Sequence, residues 1–171
     1  MDNKLEYIPG DLVMTNEIPC GTAQNVVYRV TSSDTSKTLE LDDGTVLKGV
    51  VCLENIEGAE LGDRGYLYYG NCYACVKDIV PIPLTPEILE KNEWKREVMS
   101  RGVKNSHWAY TKPDIEEYGY FPIYIETGIG DEFDVYPFTD NNVCKPIAYI
   151  KYVHQLQNLL FGLKLNSEME V

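Results

Sequence analysis

The chain has 171 residues, 44% of them apolar, and carries 27 acidic against 15 basic side chains for a formal net charge of −12. That length fits one domain or two small modules, and it buries enough surface to need neither metal nor disulfide. So acidic a balance argues against a general phosphate-backbone or anionic-membrane binder, whose affinity comes from Lys and Arg displacing counterions.

Met1 to Glu6 lacks the basic n-region and the following apolar stretch of a secretory signal. No run approaches the roughly 18 apolar residues of a spanning helix. Five cysteines at irregular spacing give no even disulfide framework, so the expected setting is a bacterial-type cytoplasm with reduced thiols. Thirteen tyrosines against four phenylalanines favour a β-rich protein with an interaction surface, because tyrosine suits half-buried strands and wet interfaces.

The first 80 residues read as short strands with turns between them. Pro9-Gly10-Asp11 precedes Leu12-Val13-Met14, Pro19-Cys20-Gly21 breaks the chain, and Val26 to Val30 is a β-branched run. Residues 31–37 read as a polar loop. Thr38 to Asp42 alternates with period two, and Asp43-Gly44 before Thr45-Val46-Leu47 predicts a hairpin, since a tight turn there needs positive φ. Gly49 predicts a bulge or sharp bend. Gly62-Asp63-Arg64-Gly65 turns into Tyr66-Leu67-Tyr68-Tyr69, and Gly70-Asn71 turns again before Tyr73-Ala74-Cys75-Val76. The expectation for residues 1–80 is an SH3-like small barrel.

Pro81-Ile82-Pro83-Leu84 is stiff and extended and marks a module boundary. Residues 81–171 are expected to form an α+β module. Thr85 and Pro86 read as the cap and first position of a short helix to about Asn92, with Leu84 and Leu89 placed as a hydrophobic staple. Residues 94–104 read as an exposed loop or weak strand, with a local basic group of Lys91, Lys95, Arg96, Arg101 and Lys104. Strands are expected at 107–111, 120–126 and 133–138, the last two joined through Gly128-Ile129-Gly130-Asp131. A C-terminal helix closes the chain over this antiparallel sheet: Tyr149, Tyr152, Val153, Leu156, Leu159, Leu160 and Leu163 share one face, and Lys151, Gln155 and Asn158 the other. Ile150 and Phe161, beside His154, widen the apolar surface, which packs internally or meets a partner.

Candidate chemistry is thin. Cys72 and Cys75 form the sole C-x-x-C pair, without the second pair of ligands that a structural zinc site needs. In a strand the two point to opposite faces, so they read as structural. His107 and His154 have no spacing that pairs them with a cysteine nucleophile, and His154 reads as a boundary residue. Asp131, Glu132 and Asp134 lack the spacing of a calcium loop and read as a solvated turn, as do Glu116 and Glu117. Phosphate-binding glycine loops and the nucleophile elbow are absent from the sequence.

Two segments carry a resemblance. Ile82-Pro83-Leu84-Thr85-Pro86-Glu87-Ile88-Leu89-Glu90-Lys91-Asn92 and Tyr152-Val153-His154-Gln155-Leu156-Gln157-Asn158-Leu159 resemble segments of an uncharacterised protein family of gut Bacteroides genomes and their phages or prophages. The resemblance implies a bacterial or phage origin and an intracellular location, and it assigns no activity. The resulting expectation is a non-enzymatic interaction or accessory protein, with no cofactor and with a protein partner or a second copy of itself. Its surface is expected to draw on Tyr66, Tyr68, Tyr69, Tyr73, Ile150, His154 and Phe161. The alternative is a nucleic-acid-associated module that stacks strands on the barrel tyrosines.

Overall fold

The computed structural model describes residues 7–18, 22–40, 42–44, 46–56, 71–101, 105–112, 123–128, 130–137 and 145–171. The protein is β-rich, with two antiparallel sheets and two helices in two compact units, Met1–Ile82 and Pro83–Val171. The expected turns at 19–21 and 62–65, Glu116 and Glu117, and Tyr66, Tyr68 and Tyr69 lie outside the described residues.

In the first unit, strands β1 (Leu12–Thr15), β2 (Tyr28–Glu40), β3 (Val46–Asn55), β4 (Asn71–Cys75) and β5 (Ile79–Pro81) form one sheet in the order β4-β3-β2-β1-β5. A single 3-10 turn, Val76–Asp78, joins β4 to β5. Alternate residues of these strands supply the core: Val13, Tyr28, Val30, Val51, Leu53, Ala74 and Ile79 are buried together with Tyr7. The Tyr28 hydroxyl accepts from the Ala23 N–H at 2.9 Å, which satisfies its polar end inside the core.

The hairpin expected at Asp43-Gly44 is present, with Gly44 at φ 81. Residues 31–37 are a correction: they belong to β2, which runs unbroken from Tyr28 to Glu40. The polar stretch is accommodated by register shifts between Val30 and Ser32 and between Asp34 and Thr38. At the second shift Asp34 Oδ1 accepts from the Ser36 hydroxyl (2.6 Å), the Ser36 N–H (2.9 Å) and the Lys37 N–H (3.2 Å). These bonds hold the Asp34 carboxyl below its ordinary range, the Ser36 hydroxyl foremost. Gly49 sits opposite this irregularity at φ 67, so the predicted bend is real and its position requires a glycine.

In the second unit, β6 (Lys95–Arg101), β7 (Asn105–Thr111), β8 (Ile123–Thr127), β9 (Phe133–Pro137) and β10 (Ala148–Ile150) form a sheet in the order β10-β9-β8-β7-β6. Residues 95–101, read as loop or weak strand, are an edge strand of this sheet among the described residues. Ile123, Ile125, Phe133, Val135 and Ile150 are buried on one face of it. On the other, Tyr124 and Tyr136 stack at 5.2 Å beside Ala109.

Helix α1 (Pro86–Lys91) starts as expected: the Thr85 hydroxyl accepts from the Ile88 N–H, and Leu84 and Leu89 are both buried. Helix α2 (Val153–Gly162) starts four residues later than the apolar periodicity predicts. Tyr149 is therefore a strand residue with an exposed ring. The physical reason is local. Ala148, Tyr149 and Ile150 pair with Val135, Asp134 and Phe133, and Gln155 Oε1 then accepts from the N–H groups of Lys151 (2.8 Å) and Tyr152 (3.2 Å). That side-chain cap fixes the helix start at Val153.

Both helices end alike. After α1, Glu93 N–H bonds the Glu90 carbonyl and Trp94 N–H the Leu89 carbonyl; after α2, Lys164 N–H bonds the Phe161 carbonyl and Leu165 N–H the Leu160 carbonyl. These are Schellman motifs with Glu93 (φ 67) and Lys164 (φ 60) in the left-handed position, and Trp94 and Leu165 buried just beyond.

Candidate interaction surface

Two exposed large apolar side chains face each other across the β6–β7 hairpin. Its register pairs Arg96 with Tyr110, Glu97 with Ala109 and Val98 with Trp108. Because side chains alternate across a sheet, Arg96, Val98, Trp108 and Tyr110 share one face. Towards α1 that face is closed: Tyr110 is buried, and burial pushes its phenol above the ordinary range, against the opposing pull of Arg96. Towards the hairpin tip it opens, with Val98 at 53% exposure and Trp108 at 54%. The Arg96 guanidinium lies over the Trp108 ring, 4.9 Å from its centroid. That distance is within cation–π range, and the stack orders both side chains at the surface.

Charge singles out the same hairpin. From Trp94 to Lys112 the sequence carries Lys95, Arg96, Arg101, Lys104 and Lys112 against the single acid Glu97, within a chain of net charge −12. The expected basic group is thus partly assembled: Lys95 and Arg96 are exposed on β6, and Lys91 is exposed at the end of α1. At Lys91 the ammonium also lies 3.9 Å from a Glu170 carboxylate oxygen.

Of the residues expected to form the interaction surface, Ile150, His154 and Phe161 have described side chains. Ile150 is 2% exposed and His154 0%, so both are interior positions, whereas Phe161 is 65% exposed. The sequence places His154 at the edge of the helix's polar face, as a hydrogen-bonded boundary residue. It is fully enclosed instead; one turn on, the Gln157 side chain donates to the Ser167 carbonyl at 3.2 Å, and Leu165 is buried. Its ring stacks on Tyr152 at 5.8 Å, and desolvation lowers its pKa to about 4. Tyr73 pairs through its backbone with Cys52, and its side chain lies outside the described atoms.

Cys75 is buried and carries a free thiol, as does half-buried Cys52. Asp131 and Glu132 are exposed, and the Tyr136 hydroxyl donates to Asp134 at 3.4 Å. Among the described residues no group of three or more His, Cys, Asp or Glu side chains could hold a metal ion. Among them, too, no helix is long and apolar enough to cross a membrane.

Sequence reasoning named Arg96 for its charge but missed Trp108 and Val98. The signal that would have found them is register: the antiparallel pairing of β6 with β7 places residues 98 and 108 side by side. No protein-family model, curated protein or solved structure matches the chain.

Proposed function

We propose that this protein is a non-enzymatic interaction or accessory protein whose contact surface is the β6–β7 hairpin. The observation that carries the reading is Trp108, half exposed, held under Arg96 and directly opposite exposed Val98. Tryptophan and arginine dominate binding energetics because they bury large areas at little entropic cost once they are ordered. Here the two are ordered against each other before any partner arrives, which lowers the cost of docking.

An SH3-like barrel is our reading of the first unit. The strand order β4-β3-β2-β1-β5 and the 3-10 turn between its last two strands support it. A cytoplasmic setting and an origin in a Bacteroides genome or phage belong to the same proposal, supported by the resemblance of residues 82–92 and 152–159 and by the reduced-thiol reading of the cysteines.

Capture of the tagged protein from native lysate, with and without nuclease, tests the reading. A nuclease-resistant partner held by the wild type and lost from Trp108→Ala is the expected result. Recovery that depends on nucleic acid would reassign the protein to the nucleic-acid-associated class, and an empty capture would remove the reading.

A further inference from the structure

Resting on that reading, we infer that β6 is a docking edge for an extended, acidic-apolar protein segment that adds to the second sheet as a further strand beside β6. Strand addition needs several main-chain hydrogen bonds, so edge length decides where it can occur. Among the described residues the sheets end on β4, β5, β6 and β10, of five, three, seven and three residues. β6 is the longest of these edges. Four successive side chains on it, Lys95, Arg96, Glu97 and Val98, are exposed, as they are when neither face of an edge is covered.

The side chains of β6 define what can lie beside it. Directly opposed residues on neighbouring strands approach to about 5 Å, and like charges there are unfavourable. Lys95 and Arg96 each call for an acid in the added strand, Glu97 rejects one, and Val98 with Trp108 beyond it offers an apolar seat. An antiparallel segment therefore reads apolar-x-acid-acid from its N-terminus, and a parallel one acid-acid-x-apolar. Arg96 can serve both neighbours, stacking one guanidinium face on Trp108 while its edge donates to a carboxylate. Parallel, in-register pairing of two copies of β6 would set Lys95 and Arg96 against their own kind; a charged edge protects against indiscriminate pairing while admitting a complementary one. A phosphate backbone would meet the same cations but carries a negative charge at every nucleotide into the field of a chain of net charge −12, whereas the peptide needs only two acids and seats an apolar side chain by Val98, which favours a peptide over a nucleic acid.

The test is selection of a random dodecapeptide library on the full-length protein. Recovered peptides should carry the acid pair and the spaced apolar residue. They should lose about tenfold or more in affinity against Arg96→Glu, roughly the weight of one charge-assisted contact, and regain it when the facing acid is changed to lysine. Bound peptide should slow hydrogen exchange at amides of residues 95–98. Peptides without that pattern, affinity indifferent to Arg96→Glu, or a thymidine dodecanucleotide that binds where no peptide does would each overturn the inference. A lysate partner retained equally by Arg96→Glu would leave the interaction reading standing and remove this one.

Discussion

Asn92 and Glu170, 78 residues apart in the chain, are joined by two hydrogen bonds: the Asn92 amide donates to the Glu170 carbonyl at 2.7 Å and accepts from the Glu170 N–H at 2.8 Å. The same amide nitrogen donates its other hydrogen to the Ile88 carbonyl at 2.8 Å. One side chain thus finishes α1 and ties the end of the chain to it as a strand would be tied.

Asn92 is buried, so its loss leaves the Glu170 and Ile88 groups without their partner. Asn92→Ala is expected to lower stability by about 2–3 kcal/mol in denaturant unfolding. Deleting residues 168–171 should cost less once Asn92 is already alanine, because both changes remove the same bonds. Fully additive losses would show that the two bonds do not form in solution.

His154 makes stability depend on pH in a defined direction. Its imidazole titrates at about 4 in the folded chain and near 6.5 when unfolded, the difference coming from desolvation. Between those values the unfolded state binds the proton, so stability is fully present above pH ~6.5 and falls as pH drops towards 4. The loss should be about 2–3 kcal/mol over that window, and His154→Leu should flatten it. Equal slopes for the variant and the wild type would contradict the burial of this ring.

The two Schellman ends place a glutamate and a lysine where glycine is at ease. Glu93→Gly and Lys164→Gly should each raise the unfolding midpoint, by about 0.5–1 kcal/mol, because a left-handed backbone costs a residue with Cβ roughly that much or more. Glu90→Gly, inside α1, should lower it by about 1 kcal/mol. A loss at all three positions would mean that the helix ends are not left-handed.

Trp108 should separate binding from folding. With its ring half in water, Trp108→Ala is expected to cost no more than about 1 kcal/mol, the scale of an exposed cation–π contact. Tyr124→Ala, which removes a buried ring from the stack with Tyr136, should cost about 3 kcal/mol or more. Comparable losses by thermal unfolding would place Trp108 in the core and remove it as a contact residue.

Local signals with a direct physical meaning were legible in the sequence. The Asp43-Gly44 hairpin, the Gly49 bend, the Thr85-Pro86 helix start and the strands around Tyr110, Ile125 and Val135 all follow from turn chemistry, capping and alternation. What was hidden depends on distant pairing. Nothing local marks residues 31–37 as strand, because their pairing with β3 tolerates two register shifts. Tyr149 fits the helical stripe as well as Tyr152 does, and β9 decides between them. The left-handed helix ends carry Glu93 and Lys164 rather than glycine, so they have no sequence signature. The proposed contact surface was hidden for the same reason: it depends on Val98 and Trp108 being brought into register.

The most direct measurement is in-cell crosslinking with a photoreactive phenylalanine analogue placed at Val98, with Phe161 as the comparison site. Both positions are exposed, so neither replacement should disturb folding. A discrete protein adduct from position 98 and none from position 161 is the predicted result. An adduct from position 161 alone, or from neither, would contradict a contact surface on the β6–β7 hairpin.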